Sequence, residues 1–176
     1  MNTDNLVEVS KSSPKQMMTR EKAFEFVKEL KVNFGGAEQF ILTGSLVATL
    51  QGFGNNFNDF DVILVNPSPS TIELLTRHVK ENPSCRKSED LMSKGVFLFR
   101  YLGNKVDVFI QHTKYDAKLQ YDGIILSPLM ELIKAKQSFH RLKDYMQLRE
   151  WSKMIQDPTN VFDELELIRT TEEYNK

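Results

Sequence analysis

Residues 40–65 read FILTGSLVATLQGFGNNFNDFDVILV. An apolar run over 39–43 predicts a first strand, and the run over 59–65 predicts a second strand that becomes too apolar to face water on either side. Between them, a Gly-Ser pair followed by apolar residues predicts a turn and a short helix over 46–52. The stretch therefore predicts two buried strands joined by a helix and a polar loop.

Two carboxylates open the second strand. Asp59 and Asp61 alternate with Phe60, and alternate side chains of a strand lie on one face, about 7 Å apart along the backbone. Both carboxylates are therefore expected to point the same way, with Phe60 in the opposite layer. Because carboxylate oxygens suit hard divalent cations, the pair predicts a site for magnesium or manganese.

Gly44 and Ser45 stand where the first strand ends and the helix starts. The free backbone N–H groups and the helix dipole at such a point favour an anion, such as a triphosphate. On the residues alone a plainer interpretation stays open, in which the pair is a turn glycine followed by a helix-capping serine.

A third aspartate interrupts a later apolar strand. Strands over 95–102 and 105–111 are predicted to form a hairpin around a Gly-Asn turn at 103–104, and in that register Arg100 faces Asp107. The carboxylate is then either paired with Arg100 across the strands or is a third acid beside the first two. The two interpretations are compatible, because Arg100 can also reach a phosphate.

Apolar residues at helical spacing predict the other helices. These cover residues 14–30, 70–80, 139–155 and 162–168, and one more begins at Ser127-Pro128. In the helix over 139–155 the spacing places four residues on the inner side: Leu142, Tyr145, Met146 and Trp151. A basic cluster lies near the start of this helix, in Lys136, Arg141 and Lys143. It either supplies positive charge near phosphates or is a solvated face balanced by neighbouring acids such as Asp144.

Bulk composition limits the classes of function. The formal charge of −1 over 176 residues excludes a global attraction to nucleic acid and leaves only a local patch. The single cysteine, Cys85, excludes an internal disulfide and suits a reducing compartment. No run approaches a membrane-spanning length, and the first residues lack the apolar segment of a signal peptide. We therefore expect a cytoplasmic protein without a membrane partner.

The Gly44-Ser45 pair, the Asp59-x-Asp61 motif and the later Asp107 together resemble the nucleotidyltransferase superfamily, whose palm-like domain is shared with DNA polymerase β. Thirteen residues separate Ser45 from Asp59. That spacing is similar to the abortive-infection toxin branch and its bacterial relatives.

Two further segments bear on this resemblance. The run from Lys136 to Asp144 is similar to another segment of that branch, Lys-x4-Arg-x-(Lys/Arg)-Asp. Relatives carry Arg-x-Thr-x ahead of the aspartates, whereas residues 55–58 here read Asn-Asn-Phe-Asn. Relatives also carry an acid where Gln147 stands. A non-catalytic member, which binds a nucleotide or a protein in a toxin–antitoxin-like pair, therefore stays open beside the enzyme. An unrelated α/β interaction domain with chance motifs is a third interpretation.

The resemblance implies an α/β (α+β) fold with a mixed sheet flanked by helices. It is combined with a predicted core over 14–126 and a helical segment over 127–170 packed on that core, and the polar first residues predict a flexible tail over 1–13. The implied activity is transfer of NMP from an NTP to a hydroxyl of RNA, protein or a small molecule, with Mg2+ or Mn2+ as cofactor. The implied metal ligands and catalytic residues are Asp59, Asp61 and Asp107. The implied nucleotide contacts are Gly44, Ser45, Lys136, Arg141 and Lys143, and the predicted hairpin register adds Arg100.

Overall fold

The computed structural model of the chain describes residues 19–34, 39–51, 57, 59–115, 119–139 and 141–155. The elements in chain order are α1 (Arg20–Asn33), β1 (Gln39–Thr43), α2 (Gly44–Leu50), β2 (Phe60–Val65), α3 (Pro69–Glu81), α4 (Ser88–Met92), β3 (Val96–Tyr101), β4 (Asn104–Gln111), β5 (Leu119–Tyr121), β6 (Ile124–Leu126), α5 (Leu129–Phe139) and α6 (Leu142–Ile155). Within these ranges, no helix is both long and apolar enough to cross a bilayer. The tail predicted over 1–13 and the helix predicted over 162–168 lie outside the described residues.

One six-stranded sheet organises the molecule, in the order β3-β4-β2-β1-β6-β5. Strand β2 lies between β1, which is antiparallel to it, and β4, which is parallel to it. Strand β6 is parallel to β1, and both outer strands are antiparallel to their neighbours. The predicted α/β fold with a mixed sheet is confirmed.

Helices α1 and α3 cover the sheet face that carries Phe60. The rings of Phe26 in α1 and Phe60 lie 4.5 Å apart between centroids. His78 in α3 stacks on Phe99 of β3 at 5.1 Å. Helices α5 and α6 contribute to the same hydrophobic core, with Trp151 only 3% exposed. The predicted boundary between a core over 14–126 and a helical segment over 127–170 stays a prediction. Both segments share one hydrophobic core, which is compatible with one unit or two.

The hairpin of β3 and β4 turns one residue earlier than the sequence predicts. Its turn residues are Leu102 and Gly103, both at positive φ, so that Arg100 pairs with Lys105. The residue opposite Asp107 is Leu98. The predicted pairing of Arg100 with Asp107 is therefore wrong, and Arg100 is exposed. The shift moves each partner by two positions, which keeps every side chain on its predicted face.

Helix α6 presents a different side to the core from the one predicted. Leu142 is 76% exposed and Met146 is 58% exposed, and Tyr145 is also exposed. Of the four residues placed on the inner side, only Trp151 is buried. The fully buried residue in the first turn is Asp144, whose ion pairs fix the rotation of the helix.

Candidate active site

The three aspartates lie on one sheet face at one end of β2 and β4. Asp61 and Asp107 are directly in register on these parallel neighbours. Asp59 precedes β2 and lies beside Lys105 of β4, whose ammonium is 3.2 Å from its Oδ2 atom. Phe60 is buried on the opposite face, as the alternation of side chains predicts.

Asp61 experiences the strongest electrostatic perturbation of the three. Burial, together with the negative charges of Asp107 and Asp59, raises its pKa from 3.8 to about 7. The positive charges of Lys136 and Lys105 oppose this effect but do not cancel it. In the metal-free site Asp61 therefore retains its proton to a higher pH than an ordinary aspartate does.

Asp107 is largely enclosed, with 13% of its side chain accessible. Burial raises its pKa, which the positive charge of Lys105 only partly offsets. Its Oδ1 atom is buried and has no hydrogen-bond partner among the described residues. A buried carboxylate oxygen without a partner is unfavourable by itself, so a ligand at this atom would relieve the cost.

Lys105 is the cation inside the acidic group. Its Nζ atom lies 3.2 Å from Asp59 Oδ2 and 3.7 Å from Asp107 Oδ2. Burial lowers the pKa of the ammonium, but the surrounding carboxylates outweigh burial and the pKa is raised overall. Lys105 therefore stays charged and neutralises part of the cluster.

Gly44 closes one side of the acid site. It opens α2 at φ +78°, a backbone conformation that favours glycine. A Cβ atom at this position would lie 2.0 Å from Asp61 Oδ2. Since no side chain fits there, the start of α2 is able to lie directly against the Asp61 carboxylate.

Ser45 lies in the first turn of α2 and is not its N-cap. The N-cap is Thr43, whose side chain makes no capping hydrogen bond. Thr43 is also the residue of β1 that pairs with Asp61. The capping interpretation of Ser45 is therefore wrong, and the short helix starts beside the central acid.

A second ionic cluster joins α5 to α6. The carboxylate of Asp144, completely buried, accepts hydrogen bonds from Arg141 at 2.6 and 3.1 Å and from Lys136 at 3.2 Å. Burial alone would raise the pKa of Asp144, but these hydrogen bonds and charges lower it below its usual value. The predicted basic segment is thus an ordered cluster around a buried acid, not a plain solvated face.

Lys136 interacts with both the acid site and the ionic cluster around Asp144. Only 15% of its side chain is exposed, and its charge acts on Asp61. Arg141 is half exposed and lies over the ring of Phe139 at 4.8 Å. Lys143 is exposed. Lys136 is therefore the member of the basic segment that the structure links to the acid site.

The three aspartates could bind a divalent cation, but their side chains are not yet arranged around a common point. Within the described ranges, no group of three or more metal-ligating side chains is arranged to hold an ion. The donor chemistry nevertheless fits, because three carboxylates share one face and Asp107 Oδ1 lacks a partner. Metal binding would require Lys105 to separate from Asp59 and Asp107.

One residue of these clusters, Lys105, escaped the sequence predictions. Lys105 precedes Asp107 by two positions, so the alternation that pairs Asp59 with Asp61 also places Lys105 on the acid face. Asp144 is named by the sequence as an acid near the basic cluster, three residues after Arg141, a spacing that brings side chains together on a helix. Its burial is not predictable from the sequence, because it depends on how α6 packs against α5.

No protein-family model matches the sequence, and no curated protein is significantly similar to it.

Proposed function

We propose that the chain is a metal-dependent nucleotidyltransferase, which transfers NMP from an NTP to a hydroxyl acceptor and releases pyrophosphate. The observation that carries the proposal is the register that places Asp61 beside Asp107, with Gly44 against the Asp61 carboxylate. Positioning and charge neutralisation dominate phosphoryl chemistry. A concentrated acidic site next to a helix start supports both.

Each residue has a role in this proposal. Asp59, Asp61 and Asp107 would hold Mg2+ or Mn2+. When bound, such ions neutralise phosphate charge and lower the pKa of the attacking hydroxyl. Asp107, with its unpartnered Oδ1 atom, accepts the proton of the acceptor hydroxyl.

The remaining residues orient the triphosphate. Gly44 and Ser45 offer backbone N–H groups at the start of α2. Lys136 adds positive charge on the side of Asp61, while Arg141 holds Lys136 through Asp144. Arg100 and Lys143 are exposed and would meet only the outer phosphates or the acceptor.

A screen for label transfer tests the activity. The protein is incubated with Mg2+ or Mn2+, α-labelled NTPs and cellular RNA, protein or small molecules as separate acceptor pools. Transfer of label to one pool that is lost in Asp61→Asn, and retained in the exposed-site control Asp90→Asn, supports the proposal. Equal labelling by the wild type and Asp61→Asn would contradict it. The acceptor and the base preference follow from the labelled product.

A non-catalytic binding module is the second candidate, and one observation favours it. Lys105 already pairs with Asp59 and Asp107, so two of the acids are partly neutralised without any metal. This module would bind NTP weakly or bind a protein partner, and would transfer no label. For either candidate we propose a cytoplasmic location, because the chain has a single cysteine and no long apolar run.

Binding measurements separate these candidates from an unrelated domain. An active transferase binds both Mg2+ and NTP, a degenerate member binds NTP weakly, and an unrelated α/β domain binds neither. Isothermal titration of each ligand into the protein gives this distinction before any acceptor is known.

A further inference from the structure

We propose that Lys105 is the resident cation of the acid site and competes with a divalent metal ion for Asp59 and Asp107. Lys105 thereby sets how tightly the nucleotide-free protein binds metal. The inference rests on the proposed function, since it assumes that these carboxylates are metal ligands.

The competition follows from shared carboxylates. Lys105 Nζ lies 3.2 Å from Asp59 Oδ2 and 3.7 Å from Asp107 Oδ2. A divalent cation held by the same two carboxylates would lie within a few ångströms of this ammonium group. Two cations a few ångströms apart repel each other strongly in a partly buried site. The ammonium group and the metal ion therefore exclude one another at these carboxylates.

The surroundings of Lys105 allow the exchange. Its side chain is 33% exposed, so the ammonium can withdraw into solvent by rotation of its flexible stem. Asp107 Oδ1 is buried and has no hydrogen-bond partner among the described residues, so a metal ion that reaches it would satisfy it. Withdrawal of Lys105 and binding of the metal ion are therefore compatible.

Charge around Lys105 favours its release once metal is bound. Arg100 pairs with Lys105 across the strands, so a second cation lies on the same sheet face. In the metal-free state the ion pairs with Asp59 and Asp107 hold the Lys105 ammonium. Neutralisation of these acids by a metal ion weakens both pairs.

The test is a Mg2+ titration of the nucleotide-free protein by calorimetry, with Mn2+ as a second probe. Lys105→Met keeps the length of the stem and removes the charge, and it should bind Mg2+ about fivefold more tightly than the wild type. Lys105→Arg keeps the charge and should bind no more tightly than the wild type. Lys80→Met, at an exposed lysine of α3, should leave the affinity unchanged. If Lys105→Met fails to fold, Lys105→Gln takes its place, since the amide keeps a donor for Asp59.

The outcomes separate this inference from the function on which it rests. Tighter binding by the neutral variants, or binding by them alone, supports competition. Equal or weaker binding by the neutral variants, with binding by the wild type, overturns the inference alone and makes Lys105 a positioning residue for the carboxylates. Absence of Mg2+ and Mn2+ binding in every variant overturns both.

Discussion

Replacement of Asp61 by asparagine should stabilise the metal-free protein, and increasingly so as the pH rises. The pKa of Asp61 is raised from 3.8 to about 7, with burial as the main cause. The native state therefore holds a proton on Asp61 over a pH range in which the unfolded chain has lost it. Because the native state binds more protons there, stability falls as the pH increases from about 4 to about 7.

The size of the effect follows from the two pKa values. One pH unit corresponds to about 1.4 kcal/mol, so ionisation of Asp61 lowers the free energy of unfolding by at most about 4 kcal/mol above pH 7. Titration of Asp61 is coupled to that of Asp107, and the measured transition belongs to the pair. A domain is typically stable by about 5–15 kcal/mol, so such a loss is large.

Urea denaturation between pH 5 and pH 8.5, with EDTA present, measures this difference. The stability of the wild type should fall with increasing pH, whereas Asp61→Asn should lose little of its stability. The exposed-site variant Asp90→Asn changes the net charge equally and should follow the wild type. Parallel curves for the wild type and Asp61→Asn would refute the perturbed ionisation of Asp61.

Three further predictions concern the same region. Mg2+ at a hundred times its dissociation constant should stabilise the wild type by about 2.7 kcal/mol, which thermal melting detects, and Asp61→Asn should lose most of this increment; an unchanged increment would place the cation elsewhere. Gly44→Ala should lower the free energy of unfolding by at least about 2 kcal/mol, because of strain at positive φ and collision with Asp61. Ser45→Ala should lower it by at most about 1 kcal/mol. Equal losses for the two variants in urea denaturation would contradict the close approach of Gly44 to Asp61. Asp144→Asn should destabilise the protein by about 3 kcal/mol at neutral pH, because Lys136 loses its partner. Since the pKa of Asp144 is lowered, that contribution is present above pH 3.8 and disappears as the pH falls through the native pKa, and a difference that persists in acid would be inconsistent with it.

The local pattern was enough to predict the acid face. Strand β1 has its predicted bounds, and the alternation around Phe60 correctly places two carboxylates on one face and the ring in the core. Both successes rest on the two-residue period of a strand, which depends on backbone geometry alone. The strands β5 and β6 were not predicted, because three residues are too few to show a period.

The hairpin register and the buried side of α6 depend on tertiary packing and could not be predicted from the local sequence. A hairpin shifted by two positions keeps the same residues inside, so the apolar pattern does not distinguish a turn at Leu102 from one at Gly103. In α6, the apolar spacing favoured Leu142 and Met146 as inner residues. The structure instead buries Asp144, because Lys136 from α5 and Arg141 meet it there. A propensity scale contains no information about partners supplied by another helix.

Asp61 differs from the other buried acids in its lack of an ion-pair partner among the described residues. Asp59 and Asp107 each pair with Lys105, and Asp144 pairs with Lys136 and Arg141. Asp61, by contrast, has no ion pair within the described ranges, and Lys136 acts on it only through the field of its charge. The unfavourable free energy of the acid site is therefore concentrated on Asp61. Because this carboxylate lies at the centre of the sheet, against Gly44 and in register with Asp107, a cationic ligand bound there gains the most from neutralising it.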